Sequence, residues 1–286
     1  MPKAHHIVSL PEKRTTSVVF ASPHSGRDYS DSFLSQTVLC QQSIRTSEDA
    51  FVDLLFEDAP KHGAPFLKAL APRAYLDLNR NSDELDSALI EGAGRMMHNP
   101  RIASGLGVIP RVVASGRAIY RGKMPLTDAQ ARIRDIWHPY HRTLQHLMDE
   151  SKRDFGEAIL VDCHSMPHEA VDAISHRGLP RPDVVLGDRF GAAAHADIVA
   201  QIEDAFVSAG LNVVRNAPFA GAFITQNYGR PSRGQHAIQV EIDRSLYMNE
   251  KTIRPNGNFM ALRKLIGQVT AEIAAIGRNQ IPLAAE

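Results

Sequence analysis

Ala158-Ile159-Leu160-Val161-Asp162-Cys163-His164-Ser165 decides the fold. A short apolar run of strand length, Ala158–Asp162, is followed at once by an imidazole and a hydroxyl. Two other stretches behave the same way. Ser17-Val18-Val19-Phe20-Ala21 reads as a buried strand and gives way to Ser22-Pro23-His24-Ser25-Gly26, and Ala237-Ile238-Gln239-Val240-Glu241 ends on a carboxylate. Further strands are predicted at Pro65–Leu70, Ala74–Leu78, Asp183–Leu186, Asn212–Arg215 and on to Ile242 in the last run.

Helical patterns lie between these runs. One is predicted from Ser47, with Ser47 as cap, Glu48 and Asp49 in the first turn, and Val52, Leu55 and Phe56 on one face, stopping near His62-Gly63. The longest should open at Thr127-Asp128-Ala129-Gln130 and carry Ile133, Ile136, Trp137, Tyr140, Leu144 and Leu147 at helical spacing, with a kink at Pro139. Phe190–Ala209 and Phe259–Ile276 complete the set. Strands alternating with helices predict an α/β fold, a mostly parallel or mixed central sheet with helices on both faces. Ligands of such sheets sit beyond the carboxyl ends of the strands, so the polar residues there are the ones to weigh.

With 286 residues, 43% hydrophobic and 22% charged, the composition is that of a globular protein, and no repeat or low-complexity linker divides it, so one catalytic domain over 1–286 is expected. Lys plus Arg and Asp plus Glu are 32 each, and a zero net charge argues against nucleic-acid binding, which depends on counterion release. Two cysteines, Cys40 and Cys163, build neither a disulfide framework nor a thiolate metal site. The opening residues show no signal-peptide core and no run is long enough to span a bilayer, which leads to the expectation of a cytoplasmic protein. His5 and His6 are assigned to a mobile N-terminus. Thirteen histidines point to metal or proton chemistry.

His24, His164 and acidic groups at neighbouring strand ends make the ligand set of a catalytic zinc, which takes imidazole and carboxylate donors and keeps one position open. A second concentration, Arg73-Ala74-Tyr75-Leu76-Asp77-Leu78-Asn79-Arg80, offers guanidinium forks suited to a carboxylate.

These segments meet in one family. Pro23-His24-Ser25-Gly26, Asp77-Leu78-Asn79-Arg80, Asp162-Cys163-His164-Ser165, Pro218-Phe219-Ala220-Gly221-Ala222-Phe223-Ile224-Thr225 with Tyr228-Gly229-Arg230-Pro231, and Gln239-Val240-Glu241-Ile242-Asp243-Arg244-Ser245-Leu246-Tyr247-Met248, in that order, closely resemble the N-formylglutamate amidohydrolase family. The resemblance implies a zinc-exopeptidase-like fold and hydrolysis of the N-acyl amide of an acidic amino acid such as N-formyl-L-glutamate, a step of histidine degradation. It implies Zn²⁺, or another divalent transition metal, on His24, His164 and a carboxylate of the 47–49 segment, with Asp49 favoured and Glu48 the alternate. It implies Asn79 and Arg80 on the substrate carboxylate, and Glu241 as general base. Arg244, then Arg73, with Arg111 and Arg121 behind them, are candidates for the substrate's second carboxylate or for the oxyanion. Where family deformylases often carry Asp-Thr-Asp-Trp around the central ligand, this chain has Ser47-Glu48-Asp49-Ala50, which leaves the acyl group and amino acid open.

Three other readings compete. A serine hydrolase would use Ser22, Ser25 or Ser165, but no G-x-S-x-G elbow is present. A zinc amidase of cell-wall peptides shares the metal logic but needs export. A non-catalytic metal-binding module is the third. The remaining histidines are read as structural, with His168 and His236 as possible supports of the site.

Overall fold

The computed structural model describes residues 4–94, 99–114, 116–175 and 180–278. Seven strands form one mixed sheet: β1 (His6–Ser9), β2 (Val18–Ser22), β3 (Phe66–Ala69), β4 (Ala158–Met166), β5 (Val184–Gly187), β6 (Val213–Arg215) and β7 (Gln235–Asp243), in the spatial order β1-β3-β2-β4-β7-β5-β6. β3, β2, β4 and β7 run parallel, β1 pairs antiparallel on one edge, and β5 turns antiparallel against β7.

The centre of the sheet is buried on both faces, and the strands show it with period two. Val18, Phe20, Ile159, Val161 and Cys163 face one core with the helices Ala196–Ser208 and Phe259–Ile276. Val19, Ala21 and Leu160 face the other, under the helix His138–Phe155. Cys163 is thus a small apolar core residue, as expected from its turning away from His164.

Several elements differ from the sequence reading. β4 runs past its expected end at Asp162, so His164 lies inside the strand rather than after it, while Glu241 lies inside β7 as expected. Ala74–Leu78 is no strand: Tyr75 and Leu76 donate to the Pro72 carbonyl in a turn, and the apolar alternation buries Leu76 and Leu78 from an irregular segment. The helix from Ser47 does not form there. Ser47 Oγ accepts from the Ala114 amide instead of capping, the Asp49 amide donates to the His24 carbonyl, Phe51 takes φ 68, and only Val52–Leu55 is α-helical. The long helix is interrupted by a π turn at Ile133–Trp137, just before Pro139, whose ring nitrogen has no proton to donate. The helix expected from Phe190 begins at Ala196, because Arg189 and Phe190 adopt positive φ. Near the N-terminus, His6 is built into an edge strand rather than a mobile tail.

Candidate active site and metal centre

The carboxyl ends of β2, β4 and β7 open on the same side of the sheet. Register pairs Asp162 with Gln239 and His164 with Glu241, so two i, i+2 pairs on adjacent strands form a polar patch at the end of an otherwise apolar face. His24 lies two residues beyond β2. The chain turns there against Ala71, where a Cβ on Gly26 would stand 2.1 Å from a carbonyl oxygen, which accounts for the glycine.

His24, Asp49 and His164 converge. One ligand atom from each lies within 4.8 Å of the others, all three residues are buried, and among the described residues this is the one such group. Asp49 Oδ2 stands 3.0 Å from His164 Nδ1 and 3.5 Å from His24 Nδ1. The far nitrogens meet two other carboxylates: His24 Nε2 lies 2.7 Å from Asp77 Oδ1, and His164 Nε2 lies 2.9 Å from Asp162 Oδ2. Asp77, hydrogen-bonded to His24, fixes the proton of that ring on Nε2 and leaves its Nδ1 toward Asp49, while Asp162 stands behind His164 at ion-pair distance with neither oxygen hydrogen-bonded. His24 Nδ1 is buried and has no hydrogen-bond partner. Two imidazole lone pairs and a carboxylate around one point could hold a divalent metal, and the unpartnered nitrogen is what such an ion would satisfy.

The electrostatics are concentrated. Burial works against a charged Asp49, yet His164, His24 and Arg244 hold it well below the ordinary carboxylate range. Burial likewise opposes protonation of His164, and Asp162 and Asp49 lift it well above the usual histidine value. Glu241 is pushed up to about 7, first by burial and further by Asp49, while His164, Arg73 and Arg244 pull the other way. A carboxyl near 7 is suited to taking and returning a proton at neutral pH.

The group faces a cleft of about 360 Å³ whose walls include Arg73, Arg80, Arg101, Arg244, Met166 and Phe219. Arg73 donates from Nε to Asp77 at 3.0 Å, and Arg80 donates to the Leu106 and Asn79 carbonyls at 2.9 Å each. Arg244 is turned to the floor of the cleft: Nη2 donates to Asp49 Oδ1 at 2.8 Å and Nε to Ser165 Oγ at 3.1 Å, so it steadies Asp49. Glu48 is not part of the group, since Arg45 takes both its oxygens at 2.8 and 3.0 Å. Arg111 pairs with Asp86, Arg121 is exposed, and neither lines the cleft. His168 binds Asp243 at 2.7 Å and stands nearly half exposed, and His236 is buried beside Glu157; neither touches the group.

Asp77, Asp162, Gln239 and Arg101 were not assigned roles from the sequence. The first three sit inside the quoted segments, and for Asp162 the signal was its i, i+2 spacing to His164 on one strand. Arg101 follows no strand and carried no signal. The serine alternative loses its geometry: Ser22 and Ser25 bond each other at 2.8 Å, and Ser165 accepts from Arg244. Ser245 and Asp243 meet the same nitrogen of His168, so they do not form a relay across that ring.

Buried histidines and carboxylates at the mouth of a parallel β-segment, under a cleft walled by arginines, form a site that could hold a metal ion beside an anionic ligand. The chain belongs to the N-formylglutamate amidohydrolase family, whose model matches residues 16–248. It is 32% identical over 209 residues to an N-formylglutamate deformylase of Pseudomonas aeruginosa, covering 72% of this chain and 73% of that one. A Pseudomonas putida protein of the same name is 29% identical over 236 residues, 82% of each chain. The crystal structure of an N-formylglutamate amidohydrolase from Ralstonia eutropha JMP134 superposes with a TM-score of 0.90 at 32% identity, covering 97% of this chain and 99% of the other. A gene product of Agrobacterium tumefaciens, Atu2144, shares the fold at a TM-score of 0.59 and 16% identity, covering 96% of each. Among the described residues no helix is long and apolar enough to cross a membrane.

Proposed function

We propose that this chain is a metal-dependent amidohydrolase, a single cytoplasmic catalytic domain that cleaves the N-formyl amide of an acidic amino acid such as N-formyl-L-glutamate, releasing formate and glutamate. The observation that carries it is the convergence of His24, Asp49 and His164 on one buried point, with Glu241 beside them in an arginine-walled cleft. The names of the family and of the relatives support the substrate.

His24 Nδ1, His164 Nδ1 and Asp49 would hold the ion, Zn²⁺ being the one best matched by two imidazoles and a carboxylate. Such an ion supplies an acidified water and an electrophile for the carbonyl oxygen. The chain's own residues do the rest. Glu241 accepts the proton of the attacking water and returns it to the departing amine nitrogen, which leaves as the free amino group while the formyl carbon leaves as formate. Arg80, and Arg73 beside it, present guanidinium charge to the substrate carboxylates and so set the amide over Glu241. Asp77 keeps the His24 imidazole in one tautomer, and Asp162 sets a negative charge behind His164.

The test is formate and glutamate release from N-formyl-L-glutamate, compared with N-acetyl and N-succinyl amino acids, before and after chelation and metal add-back. Equal amounts of formate and glutamate, lost on chelation and restored by Zn²⁺, are expected. Zinc bound without turnover of any N-acyl amino acid would make the chain a metal-binding module. Glu241→Gln should keep its metal and lose about 10²–10⁴ in kcat, and a wild-type rate in that variant would remove Glu241 from the chemistry.

A further inference from the structure

The Asp-Leu-Asn-Arg segment led to the expectation that Asn79 grips the substrate carboxylate. In the structure its side chain is engaged at both ends. The Ile224 amide donates to Asn79 Oδ1 at 2.8 Å, Asn79 Nδ2 donates to Gln239 Oε1 at 3.3 Å, and Gln239 Nε2 donates to Glu241 Oε1 at 2.8 Å. Asn79 and Gln239 are buried, at 3% and 4% exposure.

The direction of this chain is fixed by chemistry at both ends. A backbone N–H can only donate, so the Asn79 oxygen must face Ile224 and its nitrogen must face Gln239. Gln239 then has to offer its oxygen to Asn79 and its nitrogen to Glu241. An ionised carboxylate can only accept, so the far end demands the same orientation. Asn79 Nδ2 carries two N–H groups, so its approach to within 3.4 Å of His164 Nε2 does not compete with the bond to Gln239.

We infer that Gln239 is a positioning residue for Glu241, anchored through Asn79 on the Ile224 amide, and that this amide chain dictates which oxygen of Glu241 takes the proton. Oε1 is held as an acceptor by an N–H that cannot turn round, so protonation is directed to Oε2. With the carboxylate rotation also locked, Oε2 is kept in one place for each turnover. The inference rests on Glu241 being the general base.

Gln239→Met keeps the length of the side chain and removes both polar atoms. With metal content and melting temperature measured alongside, kcat for N-formyl-L-glutamate should fall by about 10- to 100-fold with KM within about twofold, the size expected for losing a hydrogen bond to a charged group. In a Glu241→Gln background the same change should cost almost nothing further, because its effect passes through the carboxylate. Asn79→Ala provides the second route if Gln239→Met does not fold: it should also lower kcat, whereas a substrate clamp would raise KM. An unchanged kcat in Gln239→Met, a loss confined to KM in Asn79→Ala, or a full additional loss on top of Glu241→Gln would each overturn the relay. Failure of the general-base reading shows separately, as wild-type turnover by Glu241→Gln alone.

Discussion

Two sets of buried histidines lie on the same side of the sheet, and they have been given opposite surroundings. His24 and His164 are almost completely buried, each with a carboxylate behind Nε2 and Asp49 in front of Nδ1. His141 is 6% exposed, and it meets only neutral groups: the Leu78 carbonyl at Nε2, 2.9 Å away, and the Tyr228 hydroxyl at Nδ1, 3.0 Å away. Burial pushes His141 down to about 3, so the ring is neutral and fully bonded. The first pair is ringed by carboxylates and leaves His24 Nδ1 without a partner; the second ring is built to be finished. Burial alone therefore says nothing about a histidine's task. What surrounds the second nitrogen does.

The largest effect expected from this contrast is at His24 and His164 themselves. His24→Ala or His164→Ala should lose bound metal and turnover together, by metal analysis and formate release, whereas His141→Gln should keep both. Retention of stoichiometric metal by either alanine variant would break the assignment.

The supporting carboxylates should matter less but measurably. Asp162→Asn and Asp77→Asn preserve shape and remove the charge behind each ring, and metal affinity should weaken by about 10- to 100-fold in each. Competition with a calibrated chelator would measure it. An unchanged affinity in both would mean that the rings are oriented by packing and not by these acids.

These acids also show what could be read from the residues and what could not. The three central strands and both histidines of the converging group were legible, because a doubly buried strand writes its apolar run directly into the sequence and a polar break after it is conspicuous. The length of β4 was not. Asp162, His164 and Ser165 near its end are polar because they face the site, so period and hydropathy place the strand end too early, at Asp162 instead of Met166. Asp49 could not be separated from Glu48 by spacing, since both suit a first helical turn. The choice is made by Arg45, which claims Glu48, and by the His24 carbonyl, which takes the Asp49 amide and draws that residue inward. Asn79 was visible as a motif residue, but its partners are 145 and 160 positions away, a distance no local pattern encodes.

The arginines sharpen the comparison from the substrate side. Arg244 serves Asp49, and Arg80 is held to two carbonyls with its charge lining the cleft. Arg80→Ala should raise KM for N-formyl-L-glutamate by about tenfold or more while kcat changes little, the signature of lost uniform binding. If discrimination against an analogue lacking the α-carboxylate were unchanged, Arg80 would have no part in holding that group.

The smallest effect belongs to His141 and concerns stability. In the folded chain its proton is bound only near pH 3, against 6.5 for a free histidine. As pH falls below 6.5 the unfolded chain takes up a proton that the folded one refuses, so stability is intact above that value and declines toward pH 3. The slope this one ring adds approaches about 1.4 kcal/mol per pH unit once the unfolded ring is fully charged. His141→Gln can still donate to a carbonyl and has nothing to titrate. Its urea-unfolding free energy at neutral pH should lie below that of the wild type, and the two should converge as the pH is lowered from 7.5 through 5. Parallel profiles would mean that His141 is protonated as readily inside the protein as outside it, and the contrast with His24 and His164 would then lose its neutral half.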